Sequence, residues 1–151
     1  MKNIPMTSAR KDWETPHALF DELNAEFGFT LDAAANSKNK KCDRYFNRRQ
    51  NGLIRFWSGI VWVNPPFGRE IDKWVKKAHR EWKRGCTVVM LIPARTDTRW
   101  FHKYILGQAE IRFLKGRLVF VGARYNAPFP SMVVVFRATA DVKVEGICHK
   151  I

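Results

Sequence analysis

The stretch VWVNPPFG, residues 61–68, decides the fold, because an apolar run ends there in an asparagine, two prolines and an aromatic residue. The run IVWV, residues 60–63, is continuous, which is typical of a strand buried on both faces of a sheet. Beyond Gly68, apolar residues recur at helical spacing as far as Gly85, which acts as a helix stop signal. The stretch therefore predicts a buried strand followed by a helix.

This predicted helix is amphipathic. Its apolar face carries Ile71, Trp74, Val75, Ala78 and Trp82. Its opposite face is basic and carries Lys73, Lys76, Lys77, Arg80 and Lys83. Such a pattern predicts a helix that packs on a sheet and presents its cations on the other side.

The same alternation of strands and helices continues along the chain. A helix is predicted to start with Thr15 as N-cap and Pro16 at its first position, and to end at Gly28. Another helix begins near Asp97 or Thr98. Further strands are predicted at residues 29–35, 87–92, 110–114, 117–121 and 131–136. Together these elements predict an α/β domain with a parallel sheet covered by helices.

Length and charge limit the classes of function. The 151 residues fit one compact domain, with residues 1–12 as a flexible arm and residues 138–151 as a C-terminal tail. Lys and Arg total 27 against 14 Asp and Glu, a net charge of +13 that favours a polyanionic partner. Nucleic acid is favoured over an anionic membrane because the Trp and Phe residues lie within patterned segments.

Other classes are disfavoured by what the sequence lacks. No apolar run approaches the roughly 18 residues that span a membrane, and the N-terminus has no secretory signal, so an intracellular protein is expected. Three cysteines occur without a CxxC pair, and the four histidines lack metal-ligand spacing. We therefore expect reduced thiols and no metal site.

The residues of NPPF suit the recognition of an amino group. Asn64 offers an amide oxygen as acceptor, while Pro65 and Pro66 fix the backbone and leave their carbonyls as further acceptors. Phe67 supplies a flat face for stacking. The array fits a planar heterocycle with an exocyclic amine. In the alternative interpretation, NPP only ends the strand and Phe67 packs in the core.

A family resemblance extends this hypothesis. VWVNPPFG resembles motif IV, (D/N/S)PP(Y/F), of the S-adenosylmethionine-dependent amino-methyltransferases. Further stretches that match are ETP at 14–16, LDAAAN at 31–36, LIPARTDTRWF at 91–101, KGRLVF at 115–120 and APFPS at 127–131. The ordered set is similar to the phage and prophage DNA N6-adenine methyltransferases, a Dam-like family, over about residues 12–137.

The resemblance implies a fold and a reaction. The fold would be a compact, single-domain Rossmann-like class I methyltransferase at residues 13–137, with a mostly parallel sheet and helices on both faces. The enzyme would methylate the N6 of an adenine flipped out of double-stranded DNA, with S-adenosyl-L-methionine as cofactor and no metal. Asn64 and the Pro65 carbonyl would hold the amino group, Pro66 would complete the rigid platform, and Phe67 would stack on the base.

The cofactor site follows from the same resemblance. S-adenosylmethionine would lie near Thr15, Pro16, Asp32, Ala33, Ala34 and Asn64. The glycine-rich loop that is usual in the wider class is absent, and the small alanines would permit the close approach instead. For Asp32 a helix N-cap or a surface charge is the alternative, and for Thr15 and Pro16 it is helix capping alone.

Predicted DNA contacts are spread over three segments. The phosphate contacts would come from Lys40, Lys41, Arg44, Arg48 and Arg49, with Arg95, Thr96 and Arg117 as further candidates. Tyr45 and Phe46 are candidates for insertion or stacking. Alternatively, the charge run is a solvated face. Near Arg95, the alternative is that Asp97 caps the next helix and pairs with Arg95.

Rival functions share motif IV. An RNA amino-methyltransferase would attract the same cations, a protein glutamine methyltransferase fits the charge poorly, and a basic DNA-binding protein with an inactive cofactor site is the third alternative. The sequence predicts a short or relaxed adenine site in DNA, and work in the host cytoplasm if the protein is phage-encoded. It predicts neither the recognition sequence nor the oligomeric state.

Overall fold

The structure is a computed structural model that describes residues 13–137 and 144–147. The predicted arm, residues 1–12, lies outside the described residues, and so does most of the predicted tail. Within the tail, Val144–Ile147 adds a strand to the sheet. No helix in the described part of the chain is long and apolar enough to cross a membrane.

The fold is mixed α/β around a single sheet. The helices are α1, His17–Phe27, and α2, Ile71–Lys83, with a π-helical turn at Phe101–Ile105. The strands are β1, Leu31–Asp32; β2, Ile60–Val63; β3, Thr87–Pro93; β4, Glu110–Leu114; β5, Ser131–Phe136; and β6, Val144–Ile147. Their order in the sheet is β1-β2-β3-β5-β4-β6.

Most of the strand pairings are parallel, as predicted. β1, β2 and β3 pair in parallel, and so do β4 and β6. β5 is the exception, because it runs antiparallel to both of its neighbours, β3 and β4. The first three strands therefore end at one shared edge, where the polar residues that follow β1 and β2 meet.

Helices α1 and α2 cover opposite faces of this sheet. The strand register puts Phe136 on the face of Val61, whereas the next residue, Trp62, points to the other face. Phe136 packs against Trp82 of α2, with ring centroids 5.5 Å apart. Trp62 packs against Phe20 of α1, with centroids 5.4 Å apart. The expected helical cover on both faces is thus present.

Two predicted strands differ from the structure. The run at residues 29–35 forms only the two-residue β1, since the chain turns once the Ala33 N–H has bonded to the Trp62 carbonyl. Residues 117–121 form no strand, although Leu118 and Phe120 are buried and Val119 is exposed in strand-like alternation. This segment docks on the start of the described chain, where the Val121 N–H donates to the Glu14 carbonyl.

The start of α1 corrects another prediction. Pro16 occupies the N-cap position, and no side chain caps the helix. The Thr15 hydroxyl instead accepts a hydrogen bond from Asn64 Nδ2 at 3.0 Å. The end at Gly28 is as predicted, with a left-handed φ of 67°.

Lys77 does not belong to the solvent-exposed cations of α2. It is buried, and its Nζ lies 2.7 Å from Oε1 of the fully buried Glu81, one helical turn away. The ammonium also donates to the Arg55 carbonyl at 2.6 Å. The helical pattern of α2 is confirmed, but an acidic partner at i+4 draws this lysine inward.

An ion network fastens α1 to the sheet edge opposite the carboxyl ends of β1–β3. Arg112 of β4 forms a bidentate pair with Glu26 of α1, at 2.6 and 2.7 Å. Arg112 and Arg137 both reach Glu110, and both guanidinium groups lie over the Phe27 ring. The hydrogen bond from Arg112 lowers the pKa of Glu26, which favours the charged form of this carboxylate.

Candidate active site

A cavity of about 1030 Å³ opens at the carboxyl edge of β1 and β2. Residues at the ends of these strands line it: Asp32, the last residue of β1, with Ala33 and Ala34 after it, and Asn64, Pro65 and Pro66 after β2. Because β1 and β2 are parallel neighbours, their carboxyl ends bring these two segments together. The predicted juxtaposition of Asp32 with the NPPF tetrapeptide is therefore present.

Asn64 is held in one orientation by residues far away in the sequence. Its Nδ2 donates to the Trp13 carbonyl and, at 3.0 Å, to the Thr15 hydroxyl. A carbonyl can only accept, so the amide nitrogen must face Trp13 and the amide oxygen must point away. Among residues 13–137 and 144–147, the buried Oδ1 has no hydrogen-bond partner.

The aromatic side chain of the tetrapeptide is buried, as in the alternative interpretation in which it packs in the core. Phe67 is 7% exposed and packs edge-on against Phe120 and Phe129, with ring centroids 6.1 and 5.4 Å away. Trp13 packs against the same two rings. An aromatic cluster thus fixes the tetrapeptide and the start of the described chain against each other.

Phe67 lines a second, smaller cavity of about 340 Å³. Arg95, Thr98 and Trp100, which come after β3, line the same cavity. The tetrapeptide therefore stands between two cavities, with its first three residues facing the larger one and its phenylalanine facing the smaller one.

Asp32 is a buried carboxylate, which excludes the surface-charge interpretation. It accepts the backbone N–H groups of Lys41 at 2.9 Å and Ala34 at 3.3 Å, and no helix starts there. Burial raises its pKa to about 6, although the two backbone hydrogen bonds act in the opposite direction. A carboxyl group that titrates near neutrality thus faces the larger cavity.

The predicted cofactor residues at the N-terminal side divide into two groups. Thr15 lines the larger cavity together with its neighbours Trp13 and Glu14. Pro16 is not among the residues that line this cavity, and its position is explained by the start of α1. Ala33 and Ala34 lie at the cavity wall as predicted.

Lys41 is internally paired and does not form part of the exposed basic surface. Its side chain is 8% exposed, and its Nζ lies 3.2 Å from Glu14 Oε1 and 3.3 Å from His17 Nδ1. Lys40 is exposed and lies over the Tyr45 ring. Lys41 therefore ties the N-terminal side of the cavity to the loop after β1.

The arginines of that loop are exposed. Arg44 donates to the Ser58 hydroxyl at 2.8 Å, whereas Arg48 lines the larger cavity and Arg49 lies beside it in sequence. Of the predicted phosphate contacts in this loop, Arg48 is thus exposed and lines the larger cavity, and Arg49 is exposed next to it in sequence.

The helical turn after β3 begins near Asp97 or Thr98 as predicted, but the alternative in which Asp97 caps it is wrong. Thr98, not Asp97, accepts the Phe101 N–H at 3.3 Å and donates to the Arg95 carbonyl. No ion pair joins Arg95 to Asp97 within the described segments. Arg95 and Thr96 are exposed at the carboxyl edge, and so is Arg117 after β4.

Sequence analysis missed two parts of the site. Trp13 and Glu14 carry no local signal that they contact residues 64 and 41. The turn around Gly52 does carry one, the Asn-Gly pair at 51–52, and Gly52 lies against the Ala33 carbonyl. A Cβ at residue 52 would lie 2.1 Å from that oxygen, so only glycine permits this approach.

No cluster of three or more His, Cys, Asp or Glu residues that could hold a metal ion occurs in the part of the chain that the structure describes. The polar groups around the two cavities are amide and backbone groups, a few carboxylates and many cationic side chains.

Comparison with known families identifies the chain. The family described as DNA N-6-adenine-methyltransferase (Dam) matches residues 3–144. The chain belongs to this family. The resemblance to phage Dam-like proteins is thereby confirmed, and the Dam family match extends beyond the stretch that carried it.

Two phage proteins of the Dam family are similar to the chain, and both carry the name DNA N-6-adenine-methyltransferase. The protein of Escherichia phage T1 is 35% identical over 114 residues, which cover 74% of this chain and 48% of that protein. The protein of Haemophilus phage HP1 is 27% identical over 137 residues, 85% of this chain and 79% of that protein. The chain thus spans about half the length of the T1 relative.

Proposed function

We propose that this Dam-family chain transfers a methyl group from S-adenosyl-L-methionine to the N6 of an adenine flipped out of double-stranded DNA. The observation that carries the proposal is the Asn64 amide, whose nitrogen is fully engaged while its buried oxygen lacks a partner. The two relatives named as adenine methyltransferases support the choice of adenine and of DNA over RNA.

An unsatisfied buried acceptor is costly, by about 1–3 kcal/mol. The structure tolerates this acceptor at Asn64, and the hydrogen bonds from Nδ2 prevent the amide from turning to satisfy it. A substrate amino group would supply the missing donor. The site is therefore preorganised for an N–H group of the substrate.

The second hydrogen of the amino group would go to the Pro65 carbonyl. Pro65 is buried at the wall of the larger cavity, and the ring of Pro66 restricts the backbone that follows that carbonyl. With both hydrogens accepted, the nitrogen lone pair turns out of conjugation with the ring and becomes nucleophilic. The extra proton leaves after transfer, so the site needs no strong base.

The larger cavity suits the cofactor. Its volume of about 1030 Å³ accommodates a nucleoside with an amino-acid side chain, and Asp32 offers a carboxylate at its wall. Asp32 would accept a hydrogen bond from the cofactor ammonium or from a ribose hydroxyl. When bound, S-adenosylmethionine supplies the electrophilic methyl group.

The smaller cavity suits the flipped base. Phe67 and Trp100 provide aromatic edges and faces there, and the exposed Arg95 lies at its rim. An adenine in this cavity would bring its amino group towards the tetrapeptide that separates the two cavities.

The fold supports the same proposal. Parallel strands β1–β3, helices on both faces and a site at their carboxyl edge agree with a Rossmann-like class I methyltransferase. The net charge of +13 agrees with a DNA substrate.

The test is transfer of a radiolabelled methyl group from S-adenosylmethionine to unmethylated duplex DNA and to bulk RNA, followed by nucleoside analysis. We expect label in N6-methyladenine of DNA. Label in RNA alone, or no label with either substrate, would contradict the proposal.

Substitution of Asn64 tests the acceptor. Asn64→Ala should lower the rate of methyl transfer by about 100-fold, which is the loss typical of removing one preorganised hydrogen bond. DNA binding should change little. Asn126→Ala, an exposed asparagine of the β4–β5 connection, is the matched control and should retain full activity. Equal losses in both variants would argue against a specific role for Asn64.

A further inference from the structure

Few large apolar side chains are exposed in the described residues, and two of these side chains lie together at the tip of one loop, residues 54–56. Among the residues whose structure is described, the exposed ones are Ile54, Phe56, Leu106, Val119 and Tyr125. Ile54 is 75% exposed and Phe56 is 68% exposed, and they flank Arg55. Single exposed apolar residues are ordinary, but a pair on one tip indicates a contact surface.

The loop that carries this tip, residues 47–57, is built rigidly. Asn47 and Gln50 exchange two hydrogen bonds between side chain and backbone, each of 2.9 Å. Asn51 adopts a left-handed φ of 56°, and its side chain accepts the Leu53 N–H. The buried Trp57 donates from its indole to the Gly52 carbonyl at 2.8 Å. The tip is therefore held in place before any partner binds.

Helix α2 holds the loop from inside. The buried Lys77 donates to the Arg55 carbonyl at 2.6 Å and pairs with Glu81. This anchor fixes the backbone in the middle of the tip, while the side chains on either side, Ile54 and Phe56, remain in solvent.

The tip stands next to the larger cavity and is surrounded by positive charge. Ile54 and Arg48 both line that cavity, and Arg49 and Arg55 are exposed nearby in the same loop. Tyr45 and Phe46, the aromatic residues that the sequence favoured for insertion, are only half-exposed. The exposed apolar surface beside the site is thus supplied by the 47–57 loop.

We propose that Ile54 and Phe56 form a wedge that enters the duplex beside the target adenine and fills the space that the base leaves when it flips. This inference rests on the proposed function and assigns a part of the DNA contact to it. Apolar side chains that enter between base steps offset the lost stacking, and flanking arginines neutralise the adjacent phosphates. A rigid tip suits this role because little conformational entropy is lost on insertion.

The wedge makes a prediction that depends on the state of the DNA. The variant Phe56→Ala, at the wedge residue that does not line the larger cavity, should methylate native duplex DNA at least about tenfold more slowly in kcat/KM, a loss equal to about 1.4 kcal/mol. The same unmethylated DNA after heat denaturation should be methylated at nearly the wild-type rate, because its bases are already unstacked. Leu106→Ala, an exposed apolar residue just before β4 at the opposite edge, is the matched control.

Further measurements separate the outcomes. The Phe56 side chain is exposed, so thermal unfolding should be unchanged, and 2-aminopurine at a mapped target position should show weaker fluorescence enhancement with the variant on duplex DNA. Equal loss on native and denatured DNA would overturn the wedge, as would an unchanged rate on both. A shift of the sedimentation coefficient without a change of rate would overturn it in favour of an interface between two copies. If the wild-type protein methylates no DNA at all, the proposed function fails first.

Discussion

The pKa of Asp32 departs far from its ordinary value. Its carboxylate is 2% exposed, and two backbone N–H groups are its hydrogen-bond donors. Burial nevertheless dominates and raises its pKa to about 6, from an ordinary value of 3.8. The carboxylate would need its charge to hold the cofactor, so burial and function oppose each other at this position.

The raised pKa predicts a pH dependence with a definite sign. The folded protein holds the Asp32 proton between pH 3.8 and about pH 6, where the unfolded chain has lost it. This contribution to stability is therefore fully present below pH 3.8 and is lost as the pH rises through about 6. Relative to Asp32→Asn, the wild-type free energy of unfolding should fall across this range.

Denaturant unfolding of both proteins at several pH values measures this difference. The comparison cancels other titrating groups, including Glu26, whose pKa is lowered. Binding of S-adenosylmethionine by the wild type should strengthen as the pH rises through about 6, where the carboxylate of the folded protein becomes charged. Parallel stability curves for the two proteins would show that burial does not perturb this carboxyl group.

At the level of residues, the sequence predicts which functional groups are present better than it predicts which residues contact them. The proposed acceptor role of Asn64 follows from the types of residue in NPPF. Its partners Trp13 and Thr15 do not, because they lie 51 and 49 positions away. The burial of Phe67 likewise depends on Phe120 and Phe129, which reach it from a loop without regular structure.

Among the elements, the connection from β1 to β2 depends most on a few contacts. Residues 33–59 contain neither a helix nor a strand, apart from an isolated bridge between Asp32 and Tyr45. Gly52 lets this connection lie directly on the Ala33 carbonyl, at the end of β1. The wall of the larger cavity therefore depends on one position without a side chain.

Replacing that glycine should disturb both stability and activity. Gly52→Ala places a Cβ 2.1 Å from the Ala33 carbonyl oxygen, and the backbone must move to relieve the clash. We expect a loss of about 1–3 kcal/mol in the free energy of unfolding, as for other overpacked sites. Gly146→Ala, where a Cβ meets nothing within 4 Å, is the matched control. Chemical denaturation measures both, and a similar stability in the two variants would contradict the close approach.

Elements with strong periodicity are predicted well. β2 and α2 follow from a continuous apolar run and a helical stripe, and the structure gives them nearly the expected bounds. Residues 117–121 mislead, because the alternation of Leu118, Val119 and Phe120 serves packing against Trp13 and Phe67 without a partner strand. The reversed direction of β5 is set by its two neighbours, and nothing in its own sequence encodes it.

For the whole molecule, not all of the 27 Lys and Arg side chains are free to contact a partner. Lys41, Lys77, Arg112 and Arg137 are all held by internal carboxylates. Arg48 and Arg49, by contrast, are exposed, and they are the proposed phosphate contacts of the 47–57 loop.

The salt dependence of DNA binding can test this distribution of charge. Each phosphate contact contributes about 0.9 to the slope of log K against log salt concentration. Arg48→Gln/Arg49→Gln should therefore reduce that slope by about 1.8. Lys83→Gln, on an exposed cation at the end of α2 away from the cavities, should leave it unchanged. Fluorescence anisotropy at several salt concentrations gives the slopes, and equal slopes for all three proteins would exclude these arginines as phosphate contacts.

The ion network of Glu26, Glu110, Arg112 and Arg137 lies at the opposite edge of the sheet from both cavities. It clamps α1 to β4 and β5 without involving a residue of the site. A scaffold braced in this way can exchange its loops at the other edge while its framework persists. Relatives in different phages could thus diversify the DNA sequences they modify by varying those loops alone, as antibodies vary antigen-binding loops on a constant framework.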